Sequence, residues 1–185
     1  MILGFNADEV FRIAIEIEKN GMAFYKKARA VQIHDRLRQI FDDLVKEEEK
    51  HLEIFEGMRA ELPEEAKRKT DYDPSNDFQR DAESEVDQYI RDAADMNVFR
   101  KPENVEKYIG NIKSAEDALR LAIQFEKDSI TFYLILRDLT EEDKGKKSVD
   151  KILAQEKDHL KTLSRELRNE VGCKNLSVYQ MPVCA

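Results

Sequence analysis

The sequence has no tryptophan, and its 185 residues include only six glycines, four prolines and two cysteines. With so few helix breakers, the composition favours helices with charged outer faces. Without tryptophan, the core must come from Leu, Ile, Val, Phe and Ala. No long basic cluster is present, which argues against nucleic acid as a partner. No apolar run reaches the length of a membrane span, so no membrane partner is expected. The segment MILGFNADEV has neither a basic region nor a long apolar stretch, so it does not read as a secretory signal. Cys173 and Cys184 form no disulfide framework, and the expected location is a reducing cytoplasm.

What the chain does have is charge. Charged residues make up 38% of it and apolar residues 41%, and the net charge is −8. An acidic shell keeps a protein soluble and weakly attracts cations, an effect that salt screens. The length suits one domain with a sizeable core.

Apolar spacing predicts four long helices. The first spans about 7–31, with Asn6 and Glu9 resembling a capping box. Its stripe holds Val10, Ala14, Ile17, Phe24 and Ala28. The second spans about 35–62 and is stopped by Pro63. The third follows Ser114, with Asp117 three residues on, and reaches about Leu139. The fourth spans about 142–171, with Gly172 as its C-terminal cap. Short breaks make the first pair and the last pair antiparallel hairpins, 7–62 and 115–171. Between them, 63–113 reads as a long crossover. It carries the turn-rich TDYDPSND and two short helices, one around Val86 to Ala93 and one after Pro102 through Val105, Tyr108 and Ile109. The expected organisation is one domain, 1–171, and a tail, 172–185.

The two hairpins are copies of each other. ADEVFRIAIEIEKNGMAFY (7–25) aligns with AEDALRLAIQFEKDSITFY (115–133). Glu18 and Glu126, Tyr25 and Tyr133, Glu48 and Glu156, and His51 and His159 all stand 108 positions apart. The retained polar residues fall on largely apolar, core-facing stripes. Carboxylates are almost never fully buried unless paired or metal-bound. Each of these glutamates also lies near the middle of its helix, so a bundle brings all four to one level. In each Glu-x-x-His the two residues share a helix face and address one site together. The expected metal ligands are therefore Glu18, Glu48, His51, Glu126, Glu156 and His159. Carboxylate oxygen with imidazole nitrogen suits iron or manganese.

On these residues the chain resembles the ferritin-like superfamily, and within it the rubrerythrin-like proteins, over about residues 7–171. The resemblance implies an all-α, ferritin-like four-helix bundle and a centre of two Fe ions, with Mn as the alternative. Glu48 and Glu156 are expected to bridge the metals. Tyr25 and Tyr133 are expected to orient ligand carboxylates through their hydroxyls, with ordinary core tyrosines as the alternative. The implied function is a di-iron redox protein that reacts with hydrogen peroxide or dioxygen. Its role would be peroxide reduction in oxidative-stress defence, with an external electron donor protein and a homodimeric state. Two features depart from the family pattern: Ser129 stands where a further glutamate is usual, and no paired Cys-x-x-Cys motif is present. A ferroxidase or iron storage or delivery protein remains an alternative, as does a non-enzymatic helical interaction module with a relic metal site.

Minor features are read as incidental. Asp71, Asp73, Ser75 and Asp77 begin like a calcium loop, but Asn76 and Ala82 break its pattern. His34 is expected to be solvated in the first turn between helices.

Overall fold

A computed structural model of the protein describes residues 7–31, 34–64, 102–140 and 143–176. Among these are five α-helices and no strand: α1 (Ala7–Ala30), α2 (Asp35–Ala60), α3 (Pro102–Ile109), α4 (Ala115–Leu139) and α5 (Asp143–Leu176). The described residues form an all-helical bundle. No helix among the described residues is long and apolar enough to cross a membrane.

The helices form where the apolar stripes place them. In α2 the buried positions are Leu37, Phe41, Leu44, Glu48, His51 and Phe55. Alternating steps of four and three keep them on one face. In α4 the buried face runs from Ala118 to Leu136 through Phe125, Glu126, Ser129, Phe132 and Tyr133. Ser114 caps α4 as expected. Its hydroxyl accepts from the Asp117 N–H at 3.1 Å and donates to the Asp117 carboxylate at 2.8 Å. That arrangement satisfies one of the backbone donors a helix start leaves unpaired.

Ion pairs between neighbouring helices show their directions. Arg59, at the end of α2, bonds Asp8 at the start of α1 at 2.7 Å, and Arg29 meets Asp42 at 2.6 Å. Arg137 at the end of α4 meets Asp150 near the start of α5 at 2.5 Å. Both hairpins are therefore antiparallel. Arg36 pairs with Glu166 at 2.7 Å and Lys144 with Glu61 at 3.0 Å, so α2 and α5 also run in opposite directions. Exposed pairs such as Arg137–Asp150 and Lys144–Glu61 contribute about 0–1 kcal/mol each. A fully buried Leu, Ile or Phe contributes about 1.5–3 kcal/mol. Phe24, Phe41, Phe55, Phe125, Phe132, Leu119 and Ile152 are all fully buried, so the core holds the bundle together.

α3 is the expected helix after Pro102. It packs on α1, where Glu106 meets Lys27 at 3.0 Å. The fourth long helix does not end at Val171. It continues to Leu176, so Gly172 is an internal helix residue and not a cap. Glycine weakens a helix by about 1 kcal/mol relative to alanine, which is too little to end one. Cys173 consequently lies on the backbone of α5. Asn6, Cys184, the expected helix at 86–93 and the calcium-loop-like segment lie outside the described residues. His34 is exposed, as expected.

Candidate metal centre

Glu18 comes from α1, Glu48 and His51 from α2, Glu126 from α4, and Glu156 and His159 from α5. The four glutamates and His51 have no exposed surface, and His159 retains 9%. They assemble into two overlapping groups. Glu18, Glu48, His51 and Glu156 form one, and Glu48, Glu126, Glu156 and His159 the other. Within each group one donor atom per residue lies within 4.8 Å of all the others. Glu48 and Glu156 belong to both.

Nδ1 is the imidazole atom that faces the carboxylates. His51 Nδ1 lies 3.1 Å from Glu156, 3.5 Å from Glu48 and 3.8 Å from Glu18. His159 Nδ1 lies 3.1 Å from Glu156, 3.6 Å from Glu126 and 3.9 Å from Glu48. The two rings stack with centroids 5.8 Å apart. Side chains on a helix lean toward its N-terminus. On two antiparallel helices that lean brings residues beyond the midpoint back toward each other, which accounts for the histidine contact.

The tyrosines cross between hairpins. The Tyr25 hydroxyl donates to Glu126, and the Tyr133 hydroxyl donates to Glu18. Burial first, and then the charge of Glu126 or Glu18 respectively, hold both phenols well above the usual range, so each keeps its proton and remains a donor.

Many polar atoms in the cluster remain without a hydrogen-bond partner. Glu18 Oε2, both oxygens of Glu48, both nitrogens of His51, Glu126 Oε2 and Glu156 Oε1 are buried without a hydrogen bond. Native proteins rarely leave such groups orphaned, and each unmet one costs about 1–3 kcal/mol. Set against a total stability of about 5–15 kcal/mol, so many orphans in one place fit a site built for a cation. The residues present match that use: oxygen and nitrogen donors, all converging.

Without a cation, protons balance the charge. Burial, then repulsion from Glu48, raises Glu18 well above the ordinary carboxylate range, and burial, then Glu156, does the same to Glu126. Burial opposes charge on the imidazoles, but the nearby carboxylates outweigh it. They carry His51 up to about 10 and His159 up to about 11. Glu156 lies between the two rings and stays well below the usual range despite its burial. A metal ion must displace these protons to bind.

The repeat is imperfect at several buried positions, among them the pair Gly21 and Ser129. At Gly21, an added Cβ would lie 2.4 Å from Phe125 Cζ, so only glycine lets the Phe125 ring press against α1. The equivalent residue, Ser129, is buried, and its hydroxyl has no hydrogen-bond partner. The apolar pattern does not single out Glu47 and Gln155, yet Gln155 Nε2 donates to Glu47 Oε2 at 2.8 Å beside the cluster. Their 108-residue separation was the available signal. No family model, curated protein or solved structure matches this chain.

Proposed function

We propose that the chain is a ferritin-like, rubrerythrin-like dimetal protein that reduces hydrogen peroxide or dioxygen, with electrons from an external donor. The buried six-residue donor set carries this reading. Glu18, Glu48, His51, Glu126, Glu156 and His159 would hold two iron ions, with Glu48 and Glu156 shared between them. Bound iron would supply the redox equivalents for the reaction.

The chain's own residues do the rest. Tyr25 and Tyr133 orient the outer carboxylates, Glu126 and Glu18, by hydrogen bonding. The surrounding phenylalanines exclude bulk water, which strengthens every electrostatic interaction inside. Glu18 and Glu126 hold protons that loading would release, so both groups change protonation state with occupancy. The expected homodimer and the crossover topology of ferritin-like bundles belong to the same reading.

The test begins with metal content per chain after anaerobic loading with ferrous iron and desalting. Two irons per chain are expected, with loss in Glu48→Ala and Glu156→Ala, followed by peroxide consumption when a reductant is supplied. A loaded protein that consumes neither peroxide nor dioxygen with any of several reductants would overturn the redox reading. A second reading, ferrous iron oxidation with delivery elsewhere, is favoured by Ser129, which adds a neutral hydroxyl to the cluster's surroundings and not a further carboxylate. Catalytic oxidation of many ferrous ions per chain without peroxide consumption would favour it.

A further inference from the structure

We infer that small ligands and cations reach the cluster through the seam between α2 and α5, and that the Glu47–Gln155 pair gates that seam. The inference rests on the metal reading above.

Three pairs of repeat-equivalent residues meet one another. Gln155 bonds Glu47 at 2.8 Å, Glu48 and Glu156 share both donor groups, and the rings of His51 and His159 stack. Residues that meet their own copies lie along the approximate twofold axis relating the hairpins. Burial falls along that axis. Glu48, Glu156 and His51 have no exposed surface and His159 has 9%, whereas the Glu47 side chain is 30% exposed. The axis therefore runs outward between α2 and α5, and among the described residues Glu47 and Gln155 form its outermost layer.

Helix geometry agrees. Glu47 is four residues before His51, and Gln155 four before His159, so each stands on the same face as its histidine and one turn from it. The pairings Arg36–Glu166 and Lys144–Glu61 fix the antiparallel register, and Glu47 and Gln155 lie midway between them. On the other side, among the described residues, the cluster is backed by aromatic rings. The fully buried Tyr25, Phe41, Phe125, Phe55 and Tyr133 pack ring against ring on its inner side.

The gate is held shut by one hydrogen bond and by a contact on its outer side. Glu47 Oε2 accepts from Gln155, while Glu47 Oε1 accepts from Lys50 at 2.6 Å. An amide opposite a carboxylate attracts it. A second glutamate at position 155, as an unbroken repeat would supply, would repel it and open the seam. The difference between the copies at this position is thus what allows the gate to close.

Cobalt(II), followed by its visible absorption under anaerobic conditions, is a suitable probe in the full chain. Uptake is timed by rapid mixing and loss by a chelator chase, for the parent protein, Gln155→Ala, Gln155→Glu and the exposed control Glu49→Gln. Both position-155 variants should keep the parent's stoichiometry. Both should exchange cobalt about tenfold faster, the factor lost with one hydrogen bond to a charged group. Glu49→Gln should stay within about twofold of the parent, since removing one exposed charge changes little at moderate salt. Parent-like or slower exchange in both position-155 variants would overturn the gate while leaving the metal site standing. An equal acceleration in Glu49→Gln would overturn it too, by showing a general charge effect. Failure of the parent protein to bind cobalt or iron at all would overturn the metal reading and the gate together.

Discussion

Tyr25 of the first hairpin donates its hydroxyl hydrogen bond to Glu126 of the second, and Tyr133 returns the bond to Glu18 of the first. Each tyrosine thus orients a carboxylate that its own hairpin does not contain. Tyr25→Phe and Tyr133→Phe should each fold and retain the cluster. Each should weaken cation affinity by about tenfold or more, the usual effect of losing a partner that orients a ligand. Competition titration against a chromophoric chelator measures this. Unchanged affinity in both variants would show that the tyrosines only fill space.

The two kinds of glutamate should respond oppositely to amide substitution. Glu18 already holds a proton in the metal-free protein, so Glu18→Gln replaces a neutral acid with a neutral amide of the same shape. Its metal-free stability should change by no more than about 1 kcal/mol. Glu156 is charged between two imidazoles. Glu156→Gln strips both of their nearest anion and should cost about 3–5 kcal/mol. Denaturant unfolding of the two metal-free variants checks the contrast. Equal losses would refute this assignment of protons among the glutamates.

The metal-free protein should lose stability as pH rises through the neutral range. His51 and His159 have folded values of about 10 and about 11, above the unfolded 6.5. A raised value contributes stability that is complete below pH 6.5 and disappears as pH climbs toward 10–11. Glu18 and Glu126 act in the same direction from their unfolded value of 4.5 upward. Glu156, whose value is lowered, acts the other way, but its effect is confined to acid below 4.5. Melting temperature between pH 6.5 and 9 should therefore fall without metal. Cation affinity should rise over the same range, because fewer protons need displacing. Thermal melts and metal titrations at matched pH test both slopes.

Gly21→Ala should destabilise the protein even though alanine favours helices. The new Cβ would lie 2.4 Å from Phe125 Cζ, and the Phe125 ring is buried edge-on against Tyr25 at 5.8 Å. Overpacking costs about 1–3 kcal/mol, and the helix gains back about 1 kcal/mol. The net expectation is a loss of about 1 kcal/mol by chemical denaturation. The ring displacement should also disturb Tyr25, detectable as a change in its near-ultraviolet circular dichroism. A stabilised variant would mean that Phe125 has room to move.

Much of this arrangement is legible in the sequence because burial of charge is conspicuous. Glu18 and Glu126 interrupt apolar stripes twice, 108 residues apart, and the structure places both in one buried cluster with Glu48, His51, Glu156 and His159. The start of α4 is equally plain, since Ser114 and Asp117 satisfy a local geometric need. The end of α5 is not, because a lone Gly172 weakens a helix without stopping it. The tyrosine crossing depends on how two distant segments pack, and no local pattern reports that. Glu47 and Gln155 are inconspicuous for a different reason: in a chain this rich in charge, a half-exposed glutamate beside a lysine resembles every other solvated position.

The division of donors between hairpins also bears on how the protein folds. The first donor group takes three residues from the first hairpin and Glu156 from the second, and the other reverses that division with Glu48. Neither hairpin alone contains a complete set. The two tyrosine hydrogen bonds that cross the cluster join residues 101 and 115 positions apart, whereas each hairpin is built from near neighbours. Contacts between near neighbours generally form sooner, because less chain entropy must be surrendered to make them. The hairpins are therefore expected to take shape first and the donor set to close only on docking. During refolding, tight cation capture becomes a clock for that final step, recording when the two halves of the chain have found each other.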